Sequence, residues 1–489
     1  MGSKMDRMNI WFTVSEAEGL VKSGGLADVA KALPKALQTL GHDVSIAIPG
    51  YRTLPGREEA EVVLTTELDF WPHVKYQVKK LDLDGVPVYA VECHQYFDRS
   101  ELYAESNQAY PDNGERFGFF ASACLDMLPK LGIKPDIVHA NDWHTGLVPF
   151  LLKTRYEYDE HFQSIRSVLT VHNAIFKGIY SYHDLEIIPE LNLSGLENIQ
   201  YGQDHISMLR AGVAYADKVN AVSPNYAAEL MTALGSHGMV DDFVHRSADL
   251  YGILNGCDYS EWDPRTDRYL EYHYEASASS IAEGKQLNKR QLQNEVGLPV
   301  NQNLPVFGMV CRLTHQKGFH YLLPILEQFL LNDAQVVIVG TGEPQVAAKL
   351  HEIARRFPNK LAFIEAYNNR LAHLVEAGAD FFLMPSEFEA CGLNQIYSMA
   401  YGTLPIVREV GGLKDTVTDY DTDRVNATGF GFLEPTPEAL LIAMQRALIF
   451  YLQQPEEMLR VQLNAMNAEF SWDASAKEYI NMYQAALLH

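Results

Sequence analysis

The strongest constraint on the fold is an alternation. Short apolar runs, many of them β-branched, occur at residues 10–14, 44–48, 86–91, 137–139, 168–171 and 219–222, then at 306–310, 336–339, 381–384 and 404–407. Segments of helical length and periodicity, such as 26–40, 115–131, 321–331 and 393–401, lie between most of them. Strands alternating with helices imply parallel sheets covered on both faces. One sheet of so many strands is unusual, and 489 residues exceed what one core normally encloses. The alternation weakens between about 258 and 304, where the turn Trp262-Asp263-Pro264 leads into an Ala/Ser-rich stretch at 276–282. The expected architecture is α/β: two Rossmann-like, doubly wound domains, residues 8–257 and 258–470, facing across a deep cleft that takes the ligand. A final segment, 471–489, carries a helix at 474–488 that is expected to pack back on the first domain. The polar residues 1–7 are expected to be an expression remnant or a frayed terminus, outside the fold.

Charge and cysteine usage narrow the function. A formal net charge of -24 repels polyanions, so nucleic acid and acidic membranes are not expected as partners, whereas a neutral polymer meets no such barrier. Five cysteines (Cys93, Cys124, Cys257, Cys311 and Cys391) are widely spaced and form no Cys-x-x-Cys pair, which fits a reducing compartment better than a disulfide scaffold or a zinc site. The apolar run at 10–14 is too short for a signal-peptide core or a membrane span. A cytoplasmic location is expected.

Three loops carry charge or glycine at a strand-to-helix junction. In Lys22-Ser23-Gly24-Gly25-Leu26-Ala27-Asp28, paired glycines let a ligand approach the backbone, and the next helix offers N–H groups to an anion. An ordinary βα turn reads equally well. In Val310-Cys311-Arg312-Leu313-Thr314-His315-Gln316-Lys317-Gly318, two cations in one loop can clamp a diphosphate, or serve as surface ion-pair partners. In Met384-Pro385-Ser386-Glu387-Phe388-Glu389-Ala390-Cys391-Gly392-Leu393-Asn394, Glu389 stands just before a helix, where it is a ligand for sugar hydroxyls or a helix cap.

Together these segments resemble one family, the bacterial glycogen synthases and plant starch synthases, from about Met8 to the C-terminus. The family shows Lys-Thr-Gly-Gly-Leu, then Arg-Leu-x-x-Gln-Lys-Gly, then Phe-Glu-Pro-Cys-Gly-Leu. This chain continues with Tyr401-Gly402-Thr403-Leu404-Pro405 and Gly411-Gly412-Leu413-Lys414-Asp415-Thr416-Val417. Asn141-Asp142-Trp143-His144, Thr170-Val171-His172-Asn173 and Leu254-Asn255-Gly256 occur in the family's order.

The resemblance implies the GT-B fold and retaining transfer of glucose from ADP-glucose to the non-reducing end of an α-1,4-glucan. By the same resemblance, Arg312 and Lys317 bind the donor pyrophosphate, with Lys22, Gly24, Gly25 and Asp28 opposite. Glu389 supports positive charge on the glucosyl ring. Cys391, Gly392, Leu393 and Asn394 offer polar groups to the donor, His172 contacts its sugar and Asn255 lines the sugar region. Tyr367 stacks on the base. Asp142, Trp143 and His144 belong to the acceptor side, although Trp143, Tyr367 and His172 each read equally as interior packing. No metal or other cofactor is implied; the partners are ADP-glucose, ADP and the glucan.

Three positions depart from the family pattern. Ser23 replaces a threonine, Ala390 replaces a proline and so frees the loop, and Glu387 places a second acid two positions before Glu389, where it raises the proton affinity of Glu389 if both face the ligand. Some GT-B families carry a second glutamate eight positions after the first; here that place holds Tyr397. Two acid pairs invite a metal reading, Asp82-Leu83-Asp84 and Asp419-Tyr420-Asp421. The first runs into Gly85 between alternating apolar runs, which signals a hairpin turn. A UDP-glucose-dependent enzyme and a non-catalytic glucan-binding homologue are the alternatives. A nicotinamide dehydrogenase is disfavoured because Gly340-Thr341-Gly342-Glu343-Pro344 lacks the third glycine of the dinucleotide fingerprint.

Overall fold

The computed structural model describes residues 7–192 and 195–488, and the chain divides into two compact units. The first comprises 1–255 together with Trp472–His489, the second Gly256–Ser471. Of the residues 1–7 expected to be an expression remnant or a frayed terminus, 1–6 lie outside the described residues, and the Arg7 guanidinium pairs with Asp43 at a strand start.

The second unit is built on a six-stranded sheet in the order Leu361–Ile364, Gln335–Val339, Val306–Val310, Phe381–Met384, Leu404–Arg408, Phe430–Phe432. All its pairings are parallel. Numbered along the chain, the order is 3-2-1-4-5-6, the doubly wound arrangement. Its switch point lies between Val306–Val310 and Phe381–Met384, and ligands of such sheets bind outside the strand C-termini there. In the helix Pro344–Arg356, Val346, Ala347, Leu350 and Ile353 recur at helical spacing and are buried.

The first unit repeats the plan in a nine-stranded sheet. Asn9–Thr13 lies between Ile137–Asn141 and Asp43–Pro49, so its switch point is at the C-terminal end of Asn9–Thr13. The sheet is not wholly parallel, as the alternation implied. Lys75–Leu83 pairs antiparallel with Val86–Glu92, and Glu61–Glu67 extends the edge antiparallel to it. The cause is the Asp-Gly turn: Asp84 and Gly85 take φ +53° and +87°, which closes a two-residue hairpin and leaves no room for a crossover helix.

The helix Trp472–Leu487 completes the first unit. Tyr483 Oη lies 2.7 Å from His139 Nδ1, and Tyr479 Oη accepts from Asn220 Nδ2 at 3.0 Å. Among the described residues no helix is long and apolar enough to cross a membrane.

The apparent break in the alternation conceals the helix Ala278–Glu295. Its buried face includes Lys285, Asn288, Lys289 and Gln293, so apolar periodicity is silent there. Its ammonium groups find partners: Lys289 Nζ meets Asp380 at 2.8 Å, and Lys285 Nζ donates to the Ala377 carbonyl at 2.9 Å. Burial pushes the Lys285 ammonium down to about 7.

Candidate functional site

At the second unit's switch point the two loops that leave the central strands are tied together. Lys317 Nζ lies 2.8 Å from Glu389 Oε2, and Ser386 Oγ donates to the same oxygen at 3.2 Å. Burial works to lower the Lys317 pKa, yet the Glu389 carboxylate overrides it and holds the ammonium above its ordinary value. Asn394 Nδ2 donates to the Val310 carbonyl at 2.9 Å, so this amide braces the two loops. The Arg312 side chain is exposed and makes no ion pair or hydrogen bond among the described residues.

Two glycines make this approach possible. Gly318 takes φ +84°, and a Cβ there would fall 1.8 Å from the Pro385 carbonyl oxygen. Gly411, at φ +46°, would place a Cβ 1.7 Å from the Glu389 carbonyl oxygen. Only glycine accepts both the left-handed conformation and the contact. The Gly411-Gly412 pair therefore backs the Glu389 loop, and Gly412 N donates to the Glu389 carbonyl at 3.2 Å.

The departures from the family pattern find their places here. Glu387 engages His320 Nε2 at 2.9 Å and the Tyr321 hydroxyl, while the Arg408 guanidinium takes the Glu387 and Ser386 carbonyls. The second acid is thus bound to the neighbouring helix, Phe319–Phe329, and the loop lacking proline is held by Arg408. Tyr397 stacks face to face on Trp262 (4.1 Å, 5°), which stacks in turn on His373 (3.7 Å, 9°). Cys391 is buried, Gly392 is left-handed at φ +77°, and Leu393 caps the helix Asn394–Ala400. Tyr367 is 88% exposed, apart from any packed cluster.

The first unit's switch point is organised by a residue that the motif reading missed. Glu16, only 2% exposed, accepts from Ser23 N (3.2 Å), Ser23 Oγ (2.5 Å), Gly24 N (3.0 Å) and the Tyr103 hydroxyl (3.0 Å). The Gly24 N–H is therefore already occupied by the chain's own carboxylate. Space over Gly25 stays open, with no atom within 4 Å of a built Cβ. Lys22 bridges Glu18 (2.7 Å) and Asp28 (2.8 Å), so both charged members of this motif are paired with each other. Nothing in its spacing marked Glu16, since a buried acid that binds backbone N–H groups has no fixed offset from them.

Asp142 sits at φ +55°, a conformation costly to a side-chain-bearing residue. Its Oδ1 accepts from the N–H of His172 at 2.7 Å. Burial pushes this carboxyl up to about 7, against the lowering effect of the His172 and Asn173 N–H groups. His172 Nε2 lies 2.9 Å from Asn141 Oδ1, and burial pushes its imidazole down to about 3. Trp143 and His144 are buried and stacked on each other (4.0 Å), with Phe117 edge-on to both, so their rings belong to the packing under the loop. Asn255, at the end of the first unit, is partly buried with its Oδ1 unpartnered.

Residues 9–245 match the starch synthase catalytic domain, and residues 291–465 match glycosyl transferases group 1. The glycogen synthase of Vibrio cholerae serotype O1 is 72% identical over 482 residues, covering 99% of both chains. The chain belongs to the glycogen synthase family. The Aliivibrio salmonicida glycogen synthase, 59% identical over 97% of this chain and 98% of its own, agrees. Among solved structures, the catalytic domain of starch synthase IV from Arabidopsis thaliana, bound to ADP and acarbose, superposes with a TM-score of 0.86 at 29% identity, covering 99% of this chain and 100% of that one. Sucrose-phosphate synthase from Thermosynechococcus elongatus, 19% identical over 98% of this chain and 99% of its own with a TM-score of 0.57, shares the fold. Membership makes the chain a glycosyltransferase of the glycogen synthase type with two Rossmann-like GT-B domains.

Proposed function

We propose that the enzyme transfers glucose from ADP-glucose to the non-reducing end of an α-1,4-glucan with retention of configuration, and that it does so without a metal. The observation that carries this reading is Lys317 within 2.8 Å of Glu389. Breaking a glycosyl–diphosphate bond puts negative charge on the leaving group and positive charge on the sugar ring. A cation and an acid side by side at a switch point match that separation, and fixed charges stabilise a transition state without reorganising. Arg312, unpaired, supplies the second positive charge for the diphosphate.

The acid pairs that would suggest a metal are otherwise engaged. Asp82 Oδ1 accepts from Gly85 N within the hairpin turn, and Asp419 and Asp421 both pair with Arg446. On the first unit, the neutral imidazole of His172 offers hydrogen bonding to a sugar hydroxyl without adding charge. Asp142 and the open backbone at Gly25 are the polar groups for acceptor and donor. Tyr367 offers an exposed ring to a nucleobase of any kind, so the preference for adenine rests on the ADP carried by the starch synthase relative.

Initial rates with glycogen and either ADP-glucose or UDP-glucose test the donor: ADP release coupled to glucan elongation is expected, and faster turnover of UDP-glucose would reverse the assignment. Activity should also survive exhaustive chelation with EDTA. Loss that magnesium or manganese restores would refute the metal-free account of the leaving group.

A further inference from the structure

The hydrogen bonds around His172 determine which of its ring nitrogens carries the proton. Nε2 faces Asn141 Oδ1 at 2.9 Å. The Asn141 amide cannot be turned over, because its nitrogen donates to the Thr13 carbonyl at 3.0 Å and a flipped amide would set oxygen against oxygen there. An amide oxygen only accepts, so Nε2 must be the donor. The ring is neutral and carries a single proton, since burial disfavours the imidazolium. Nδ1 is consequently a bare lone pair, and among the described residues it makes no hydrogen bond.

Asn141 is well placed to impose this state. It is fully buried at the C-terminal end of the strand Ile137–Asn141, and its own N–H donates to Thr145 Oγ1 at 2.7 Å. The backbone of His172 is fixed separately, by Asp142 Oδ1. Neighbouring residues thus hold the histidine at two points: Asp142 holds the main chain and Asn141 holds the ring.

We infer that Asn141 is a positioning residue for the transferase reaction: it locks His172 as the Nε2–H tautomer, so that Nδ1 selects a substrate hydroxyl able to donate to it. The inference rests on the reading above that His172 meets the transferring sugar. A hydroxyl can satisfy a bare ring nitrogen, whereas fluorine at the same carbon has no proton to give and leaves a desolvated acceptor unpaired. Had the tautomer been reversed, the ring would present N–H and would accept either substituent.

Two measurements test this independently. In protein labelled with ¹⁵N-histidine, a protonated and a bare ring nitrogen resonate far apart, and the His172 signals are assigned by their loss in His172→Gln. The wild type should show protonated Nε2 and bare Nδ1. Asn141→Leu, which removes the acceptor oxygen, should release the ring into a mixture. A wild-type signal with Nδ1 protonated, or an unmixed Nε2–H signal in folded Asn141→Leu, overturns the inference.

The second measurement uses ADP-glucose analogues with single hydroxyls replaced by fluorine. One position should lose about tenfold in kcat/KM with the wild type, the loss of about one hydrogen bond. That penalty should shrink to within a few-fold in His172→Ala and Asn141→Leu. If the tautomer is as stated but no analogue distinguishes wild type from His172→Ala, the contact with the sugar is disproved and the selection with it, while the tautomer result stands.

Discussion

The two switch points solve the same problem with different physics. In the second unit the groups are charged and mutually paired: Lys317 sits on Glu389, and Arg312 stands unpaired beside them in sequence. In the first unit the pair His172 and Asp142 is held by hydrogen bonds and close to neutral, with burial keeping His172 uncharged and driving Asp142 toward its protonated form, and the one cation of the glycine loop, Lys22, is taken up by Glu18 and Asp28. The lesson is a division of labour. Charge belongs where charge develops in the reaction, and neutral geometry suffices where a sugar is only oriented.

The largest effect should come from removing the acid that stabilises the sugar ring. Glu389→Ala is expected to lower kcat on the order of 10³-fold, with ADP affinity changed far less, because the interaction is realised in the transition state. Kinetics beside calorimetric titration with ADP decide this. Near-normal kcat would reduce Glu389 to a structural partner of Lys317. Next in size, Lys317→Ala and Arg312→Ala should each lower kcat on the order of 10²-fold. ADP affinity should fall with rising salt in the wild type and more weakly in Arg312→Ala, since the exposed cation is the screened one. Equal salt slopes would break the contrast between the units.

How much of this was legible in the sequence depends on the kind of residue. Arg312, Lys317 and Glu389 are charged side chains in loops between apolar strands, and their chemistry shows in the one-letter pattern. Glu16 and Asn141 are buried polar residues whose roles depend on which backbone groups lie within 3 Å, and spacing does not report that. The strands' parallel order was legible from the alternation, and the hairpin from Asp84-Gly85. The helix Ala278–Glu295 was hidden because Lys285, Asn288, Lys289 and Gln293 occupy its buried face. The strands Leu361–Ile364 and Phe430–Phe432 are four and three residues long, too short to stand out.

Asp142 tests the neutral side of the comparison. Its folded carboxyl binds a proton up to about pH 7, whereas its ordinary value is 3.8. Folding therefore favours the protonated form, and stability is withdrawn as pH rises from about 4 through 7. At one pKa unit per 1.36 kcal/mol, the cost reaches up to about 4 kcal/mol at alkaline pH. Asn keeps the acceptor oxygen for the His172 N–H and carries no charge. Asp142→Asn should therefore gain Tm relative to wild type as pH moves from 5 to 8, while kcat falls about tenfold. A Tm difference that does not change with pH would show that the carboxyl ionises freely in the fold.

The smallest effect should come from Tyr483→Phe. Losing its hydrogen bond to His139 should cost about 1 kcal/mol of stability and leave kcat nearly unchanged, as read by denaturant unfolding and initial rates.

That same tyrosine bears on the order in which the molecule is made. Tyr479 and Tyr483 supply partners to Asn220 and His139 in the first unit's sheet, yet the residues between 256 and 471 are translated before them. At roughly 5–20 residues per second, ribosomes keep the N-terminal sheet waiting for its last helix for on the order of tens of seconds. During that interval, buried polar groups on the strands Ile137–Asn141 and Lys218–Ala221 face an uncovered surface. The nascent first unit is thus completed only once the C-terminal helix has left the exit tunnel.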